Sequence, residues 1–355
     1  MKFIHCSDIH IDSKMKTHLN SHQALERKRE ILLTFERMVE FARTNNVCGI
    51  IIAGDMFDTT NVSISTKRRI HDLISNNADI DFLYLAGNHD EENLLEEFND
   101  LDNLKIFTDK WTSFAYDDIV ITGTKLAKNT NFDLLSLDKN NVNIVVMHGQ
   151  IGRYNTRDNL EIIPLPALKD KNIDYLALGH IHSYEDDRLD NRGVYAYAGC
   201  LEGRGFDECG DKGFVLLEII NGKVSYEFVP FASRKLLEIQ FDISEYNDWF
   251  EIEKAIIDEL TDIDTTSMVK VELVGNFTLN MQKHIELCEK RLNERFYFAK
   301  IKDNSALKLN DLDYMNDYSL RGEYIRQVMG SDLSQDEKDQ LILMGVKALD
   351  GEELC

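Results

Sequence analysis

The chain has 355 residues and a formal net charge of −23 at pH 7, with 43% hydrophobic and 29% charged residues. This composition is globular, and the length exceeds what one ordinary core holds, so we expect at least two domains. The negative charge argues against a protein that coats nucleic acid generically, because such binding depends on neutralising phosphates.

The apolar runs are short and fall well below the about 20 residues of a membrane span. Polar residues interrupt the first ten positions, which argues against a signal peptide. The six cysteines are scattered and form no Cys-x-x-Cys pair. We therefore expect a cytoplasmic protein with reduced thiols, no membrane association and no cysteine zinc site.

Residues 1 to about 230 alternate strand-like apolar runs with helix-like segments. This alternation predicts a layered α/β domain, with a sheet between helices. The predicted helices cover 24–44 and 66–75, and the predicted strands cover 2–6, 49–53, 82–86, 119–122, 143–147, 175–178, 193–197 and 214–220.

The rest of the chain predicts two further parts. Pro230 follows a hairpin with an Asn221-Gly222 turn and marks a domain boundary. Strand and helix patterns over 231–302 predict a small α+β domain, and 303–355 is an acidic segment with helices at 320–329 and 334–349. In the last helix Ile342, Val346 and Leu349 share one face, which either packs on its own protein or docks a partner.

Five predicted strands of the first domain end at polar side chains of one chemical kind. The carboxyl ends of strands are where open α/β sheets bind ligands, so we expect these side chains to converge. Glycines 54, 87, 149 and 179 let the backbone turn beside them. The side chains are Asp8 and His10, then Asp55, then Asn88, His89 and Asp90, then His148, then His180 and His182.

Carboxylate, imidazole and amide oxygen are ligands for manganese, iron or zinc, whereas calcium prefers oxygen alone. Seven such ligands suffice for two ions that share a carboxylate, and two ions about 4 Å apart can clamp a phosphoryl group. Each motif alone is more often a turn or a surface histidine. All five together, each after an apolar strand, favour a two-metal site.

The ordered set Asp-x-His, Gly-Asp, Gly-Asn-His-Asp, His and Gly-His-x-His resembles the calcineurin-like metallophosphoesterases over residues 1 to about 230. Within that superfamily the likeness is closer to the DNA-repair nuclease branch, the SbcD/YhaO-like exonuclease subunits. It rests on the run Gly-Asp-Met-Phe-Asp at 54–58, on segment 198–204 and on the separate domain after Pro230. Phosphoprotein phosphatases usually have an Asp-Arg pair after the Gly-Asp. Here Asp58 is followed by Thr59, which argues against that branch.

The resemblance implies a fold, a set of ligands and catalytic roles. The fold is an α/β/α sandwich with a smaller α+β capping domain and C-terminal helices. The ions are two divalent cations, with manganese favoured and iron, magnesium or zinc as alternatives. Asp8, His10 and His182 are assigned to one ion, Asn88, His148 and His180 to the other, Asp55 to both, His89 to phosphate chemistry and Asp90 to the orientation of His89.

Substrate and partner surfaces give weaker signals. Arg153, Tyr154 and Arg157 mix charge with an aromatic ring, which suits DNA, and Arg204 could reach a phosphate. The basic run at 67–69 is read as a solvated helix face. The resemblance further implies DNA as substrate, a homodimer, and an SMC-like coiled-coil ATPase bound through the C-terminal helices.

We therefore expect a manganese-dependent phosphodiesterase that hydrolyses DNA, working as an exonuclease subunit in repair. Two alternatives stay open. One is a phosphodiesterase for a small nucleotide, with the same metal site. The other is a scaffold subunit that acts mainly by recruiting its partner.

Overall fold

The computed structural model describes residues 1–15, 19–58, 62–88, 90, 98, 100–128, 130–152, 162–309 and 314–349. The chain divides into two compact units, Met1–Leu236 and Leu237–Cys355. The three-part division expected from the sequence, with boundaries at 230 and 302, stays a prediction. Within the described residues, no helix combines the length and the apolar character that crossing a bilayer requires.

The elements of the first unit alternate between strands and helices from Lys2 to Leu85, as the sequence predicts, and strands predominate after that. In chain order they are β1 (Lys2–Cys6), α1 (Ser21–Thr44), β2 (Gly49–Ala53), α2 (Ile64–Ser75), β3 (Asp81–Leu85), β4 (Leu104–Ile106), β5 (Thr112–Tyr116), β6 (Ile119–Gly123), β7 (Val142–His148), β8 (Gln150–Ile151), β9 (Ile162–Ile163), α3 (Leu165–Leu168), β10 (Tyr175–Gly179), β11 (Glu185–Arg188), β12 (Val194–Tyr197), β13 (Gly213–Ile220) and β14 (Lys223–Pro230).

Two stacked sheets form the centre of the first unit. Among the described residues, their strand orders are β14-β13-β1-β2-β3-β4 and β11-β12-β10-β7-β6-β5. In the first sheet β1 to β4 run parallel, and the antiparallel pairs lie at the β13–β14 edge. In the second sheet the central strands run parallel and the pair at each edge is antiparallel. Phe3 and Ile51 of one sheet share an apolar layer with Ile144 and Ala177 of the other. The predicted α/β class is confirmed, and the β layer is double.

Helix α1 covers the outer face of the first sheet. It begins after Asn20, whose side chain accepts from the backbone N–H of Gln23 while the Gln23 side chain accepts from Asn20, a reciprocal cap. Ile31, Phe35 and Met38, at helical spacing, are fully buried against that sheet. The apolar stripe of α1 therefore covers one face of this sheet, and the second sheet covers the other, which leaves the strand ends for function.

A buried ion pair also fixes α1 to the segment that follows β12. Arg27 and Glu202 are each 1% exposed. The Arg27 guanidinium donates to Glu202 at 3.2 Å, and the Thr34 hydroxyl donates to the other oxygen of Glu202 at 2.7 Å. Breaking one partner of a buried pair costs about 3–5 kcal/mol, so this contact strongly restrains the segment.

The second unit is a separate α+β core. Its elements are β15 (Leu236–Asp242), which begins at the last residue of the first unit, α4 (Trp249–Glu259), β16 (Met268–Val274), β17 (Asn276–Phe277), α5 (Ile285–Arg295), β18 (Phe298–Asp303), β19 (Ala306–Leu307), α6 (Leu320–Met329) and α7 (Gln335–Leu349). Strands β15, β16 and β18 form a three-stranded sheet.

Helices α6 and α7 contribute to the core of this unit. Ile342 is 0% and Val346 4% exposed, and both pack in one cluster with Ile325. Leu349 is 42% exposed. Two of the three positions of the predicted docking face are therefore covered by the protein's own chain, which corrects the docking interpretation for Ile342 and Val346.

We expect Ile342→Ala to lower the free energy of unfolding of the second unit by about 2–5 kcal/mol, because it removes a fully buried side chain. Met344→Ala, at a site 54% exposed in the same helix, should change it by less than about 0.5 kcal/mol. Urea unfolding followed by far-UV circular dichroism measures both. Equal effects from the two variants would contradict the inward packing of α7.

His5 makes the stability of the first unit depend on pH. It is fully buried, its Nδ1 lies 3.0 Å from the Tyr175 hydroxyl, and burial lowers its pKa to about 3. Below about pH 6.5 the unfolded chain binds a proton that the native imidazole does not. This part of the stability is therefore complete above that pH and is lost as the pH falls.

We expect the native protein to lose about 2 kcal/mol through His5 between about pH 7.5 and pH 5, a loss that His5→Gln avoids. Denaturant unfolding of both proteins at the two pH values measures the difference. His22→Gln, at an exposed position in α1, serves as the control and should follow the native protein. An identical pH dependence for His5→Gln and the native chain would disprove the assignment.

Candidate metal centre

The loops after β1 and β2 run side by side. The backbone N–H of Asp8 donates to Gly54 O at 3.0 Å, and that of His10 donates to Asp55 O at 3.0 Å. Asp8, His10 and Asp55 all have positive φ values, of 49°, 52° and 52°. Such a conformation is uncommon outside glycine and persists where surrounding contacts hold it. Here it lies at the predicted ligands.

The described residues contain two groups of side chains that could each hold a metal ion. One group is Asp8, His10 and His182, and the other is Asp8, Asp55 and His148, with the donor atoms of each group within 4.8 Å of one another. Asp8 belongs to both groups, so the two adjoin. Five of the seven predicted ligands are thus brought together by the fold.

In the first group two imidazoles face each other, with His10 Nε2 and His182 Nε2 3.2 Å apart. Their other nitrogens lie beside carboxylates, His10 Nδ1 at 3.1 Å from Asp58 and His182 Nδ1 at 2.7 Å from Glu208. Donation from Nδ1–H leaves lone pairs on both Nε2 atoms. Two nitrogens about 2.1 Å from one shared ion would have a separation of this size.

In the second group a backbone carbonyl fixes the histidine. His148 Nδ1 lies 2.9 Å from Ala53 O, and its Nε2 lies 3.4 Å from Asp55 and 3.0 Å from the Asn88 amide oxygen. Burial opposes a charge on His148, yet Asp55 and then Asp8 raise its pKa to about 9. The carboxylates therefore favour a positive charge at this position, which either a proton on His148 or a metal ion would supply.

His180 lies beside the second group. Its backbone N–H reaches both carboxylate oxygens of Asp8, at 3.1 and 3.0 Å, and its ring lies edge-on to His148 with centroids 5.5 Å apart. Its ring nitrogens belong to neither group of donor atoms. The predicted residues His89, Arg153, Tyr154 and Arg157 lie outside the described residues.

Two glycines allow the ligands to approach the backbone. A Cβ at Gly54 would lie 2.1 Å from His148 Nδ1, and one at Gly87 would lie 2.1 Å from Asp55 Oδ1. Only Gly54 of this pair has a positive φ, of 94°. The main requirement at Gly87 is therefore space for Asp55, which adds to the turning role that the sequence suggested.

Asp90 braces the same loops. Its carboxylate accepts from the backbone N–H groups of Met56 at 3.2 Å, Phe57 at 2.9 Å and Gly87 at 3.0 Å. Burial raises the pKa of Asp90, and these hydrogen bonds oppose that rise. Asp90 thus links the loop after β2 to the loop after β3. Its expected contact with His89 stays a prediction.

Exposure divides the site into two sides. Asp8 and His10 are 1% exposed and Asp55 is 2% exposed. The His182 side chain is 28% exposed, and Asn88 is an exposed residue. The carboxylates therefore lie at the bottom of the site, and solvent reaches it past His182 and Asn88.

Arg204 has a different environment from the one expected. Its Nη1 donates to Asp58 at 3.0 Å and its Nη2 to Glu208 at 2.8 Å, so the guanidinium joins the carboxylates behind His10 and His182. Against the effect of burial, hydrogen bonds from His10 and Ser13 and the nearby charge of Arg204 lower the pKa of Asp58 to about 2. Burial alone would raise the pKa of Glu208. Hydrogen bonds from His182 and Arg204 outweigh this effect, so the pKa of Glu208 is lowered.

Sequence reasoning missed the roles of Asp58 and Glu208. Asp58 was identified only as a member of the Gly-Asp-Met-Phe-Asp run. Glu208 lies 26 positions from His182, the histidine it contacts, so no local pattern joins them. The separation of four between Arg204 and Glu208 is the one available signal, and it is common in any charged sequence.

Comparisons with known proteins agree with this geometry. The family model described as calcineurin-like phosphoesterase matches residues 1–184. The uncharacterized metallophosphoesterase YhaO of Bacillus subtilis is 27% identical over 253 residues, which cover 64% of this chain and 60% of YhaO. The chain therefore spans less than two thirds of that relative.

Two further relatives have names that state their roles. The DNA double-strand break repair protein Mre11 of Sulfolobus acidocaldarius is 24% identical over 299 residues, covering 78% of this chain and 75% of Mre11. The SbcD component of the nuclease SbcCD from Staphylococcus saprophyticus is 25% identical over 281 residues, covering 67% of this chain and 71% of SbcD. The resemblance predicted from the five motifs is confirmed.

The matched region takes in just over half of the chain and contains every strand end that delivers a candidate ligand, from Asp8 to His182. This chain belongs to the calcineurin-like phosphoesterase family.

Proposed function

We propose that this protein is a two-metal-dependent phosphodiesterase that hydrolyses DNA, working as an exonuclease subunit in DNA repair. The observation that carries the proposal is the pair of imidazoles 3.2 Å apart, each backed by a carboxylate. Two lone pairs directed at one point repel each other unless a cation lies between them. This arrangement fits a metal ion better than it fits a structural hydrogen bond.

The proposed ligand sets follow the two groups. Asp8, His10 and His182 hold one ion. Asn88, His148 and His180 hold the other, and Asp55 contributes to both. Support comes from Asn88 Oδ1 and Asp55 Oδ2, which lie 3.0 and 3.4 Å from His148 Nε2. Manganese is the ion we favour, with iron, magnesium and zinc as alternatives, because mixed oxygen and imidazole ligands suit all of them.

Two divalent ions bound there supply a nucleophile at neutral pH and neutralise charge on the phosphoryl group. The chain's own residues close one end of the site and act on the phosphate. Asp8 and Asp55, buried beneath the site, keep that end closed to solvent. His89 stabilises the phosphate in the transition state or protonates the leaving oxygen.

DNA is the proposed substrate because two of the relatives are named for DNA repair and for a nuclease. A chain of charge −23 must bind DNA locally. Arg153, Tyr154 and Arg157 are proposed contacts. Arg204 is tied to Glu208 and Asp58, so we do not place it among the DNA contacts.

The decisive experiment measures cleavage of end-labelled single- and double-stranded DNA with Mn²⁺, and after removal of the ion with EDTA. We expect metal-dependent cleavage, lowered on the order of 10²–10⁴-fold by His89→Ala, because His89 acts on the phosphate itself. His71→Ala is the matched control, since His71 contacts Asp100 on the surface at 3.1 Å, and it should retain full activity.

The same preparation is tested on a small aryl phosphodiester. Hydrolysis of that ester without any cleavage of DNA would replace our proposal by the small-nucleotide alternative. Absence of both activities in protein that binds manganese would favour the scaffold alternative.

We further propose that α7 docks an SMC-like coiled-coil ATPase. One relative is named as a component of the nuclease SbcCD, which supports an assembly. Because Ile342 and Val346 are buried, the contact must use the exposed apolar side chains of α7. Leu341 is 38% exposed and Met344 54% exposed, and they are neighbours on one face of the helix.

We expect the double variant Leu341→Ser and Met344→Ser to weaken binding to the SMC-like ATPase of the same organism by at least about tenfold, which corresponds to about 1.4 kcal/mol. Sedimentation of the purified pair measures it. Leu33→Ser, at a leucine of α1 that is 45% exposed, is the control. Unchanged binding by the double variant would remove the Leu341–Met344 face of α7 from the interface.

A further inference from the structure

Arg204 lies behind the first ligand group. Its Nη1 donates to Asp58 Oδ1 at 3.0 Å, and its Nε and Nη2 donate to Glu208 Oε1 at 3.1 and 2.8 Å. The backbone N–H of Arg204 also donates to Glu208 Oε2 at 2.7 Å. A planar guanidinium with several donors can fix two carboxylates at once, which a lysine ammonium does less well.

Each of these carboxylates acts on one histidine. Asp58 Oδ1 lies 3.1 Å from His10 Nδ1, and Glu208 Oε1 lies 2.7 Å from His182 Nδ1. The hydroxyl of Ser13 donates to the second oxygen of Asp58 at 2.9 Å. Both imidazoles thereby have a fixed tautomer and orientation.

The peptide group of His182 is fixed as well. Lys212 is 3% exposed, and its ammonium donates to His182 O at 2.7 Å. The backbone N–H of Cys200 donates to the same oxygen at 3.2 Å. His182 therefore has little freedom to move away from His10.

His148, in the second group, has a neutral acceptor in the equivalent place. His148 Nδ1 lies 2.9 Å from the carbonyl of Ala53. A carboxylate behind an imidazole raises its basicity as a ligand more than a carbonyl does. His148 thus differs from His10 and His182 in the electrostatics behind its imidazole ring.

We propose that Arg204 is a positioning residue that, through Asp58 and Glu208, makes the His10–His182 site the tighter of the two metal sites, so that the ions bind in two separate steps. This inference rests on the proposed two-metal function. It replaces direct contact with substrate as the task of Arg204.

Metal binding without substrate tests the inference. Titration with Mn²⁺, followed by the electron paramagnetic resonance of the free ion, should show two binding steps in the native protein. We expect Arg204→Gln to weaken the tighter step by about 10–100-fold, the usual effect of losing a partner behind a metal ligand, and the weaker step to stay within about threefold. Arg204→Lys, which keeps the charge, should recover part of the loss.

A matched control separates this effect from general damage. Arg192 binds both oxygens of Asp174, at 3.0 and 2.8 Å, in the same unit and contacts none of the candidate ligands in the described residues. Arg192→Gln should leave both steps unchanged. Glu208→Gln, which keeps the side-chain shape, should weaken the same step as Arg204→Gln and replaces that variant if it does not fold.

Variants that lack a ligand of one metal site identify which binding step Arg204→Gln changes. In Asn88→Ala protein the remaining tight site should respond to Arg204→Gln, and in His10→Ala protein the remaining site should not. Equal weakening of both steps, or no change in either, would overturn this inference while leaving the two-metal function intact. Fewer than two bound ions in the native protein would overturn the metal centre and this inference together.

Discussion

The close approach of the carboxyl edges of two stacked sheets is the constraint on which the candidate site depends. A Cβ at Gly179, the last residue of β10, would lie 1.9 Å from Ala53 O in the other sheet. The same carbonyl lies 2.9 Å from His148 Nδ1. One peptide group therefore sets the separation of the sheets and orients a candidate ligand. Burial of the apolar layer between the sheets stabilises their close packing, and the glycines leave space for the side chains and carbonyls that approach them.

This approach brings negative charges close together in a buried place. Asp8, Asp55 and Asp90 are all buried, and such a concentration of carboxylates is costly without compensation. Asp90 is compensated by backbone N–H groups, and Asp8 by the N–H of His180. Asp55 lies beside His148, whose raised pKa reflects that charge. The fold is thus built around a place that favours a cation.

The α/β class and the convergence of ligands could be predicted because both depend on local signals. An apolar strand followed by a glycine and a candidate ligand can be recognised in the amino-acid sequence alone. The doubling of the sheet was not predictable in this way, since β7 and β2 have equally apolar patterns and nothing in either pattern says whether they share a sheet. The pairing of Asp58 with His10 and of Glu208 with His182 depends on that packing as well.

The C-terminal helices illustrate a different limit. The amphipathic pattern of α7 identifies one apolar face, and the sequence cannot say whether that face meets its own chain or another. Ile342 and Val346 are buried in the α+β core of the second unit, so this apolar face contacts the protein's own chain.

The uneven exposure of the ligands has a consequence for how molecules approach the centre. Asp8, His10 and Asp55 are buried, and among the described candidate ligands His182 and Asn88 are in contact with solvent, so an ion can reach the buried donors past these two side chains. The side chains of His182 and Asn88 are therefore the part of the candidate site that a molecule arriving from solvent meets first.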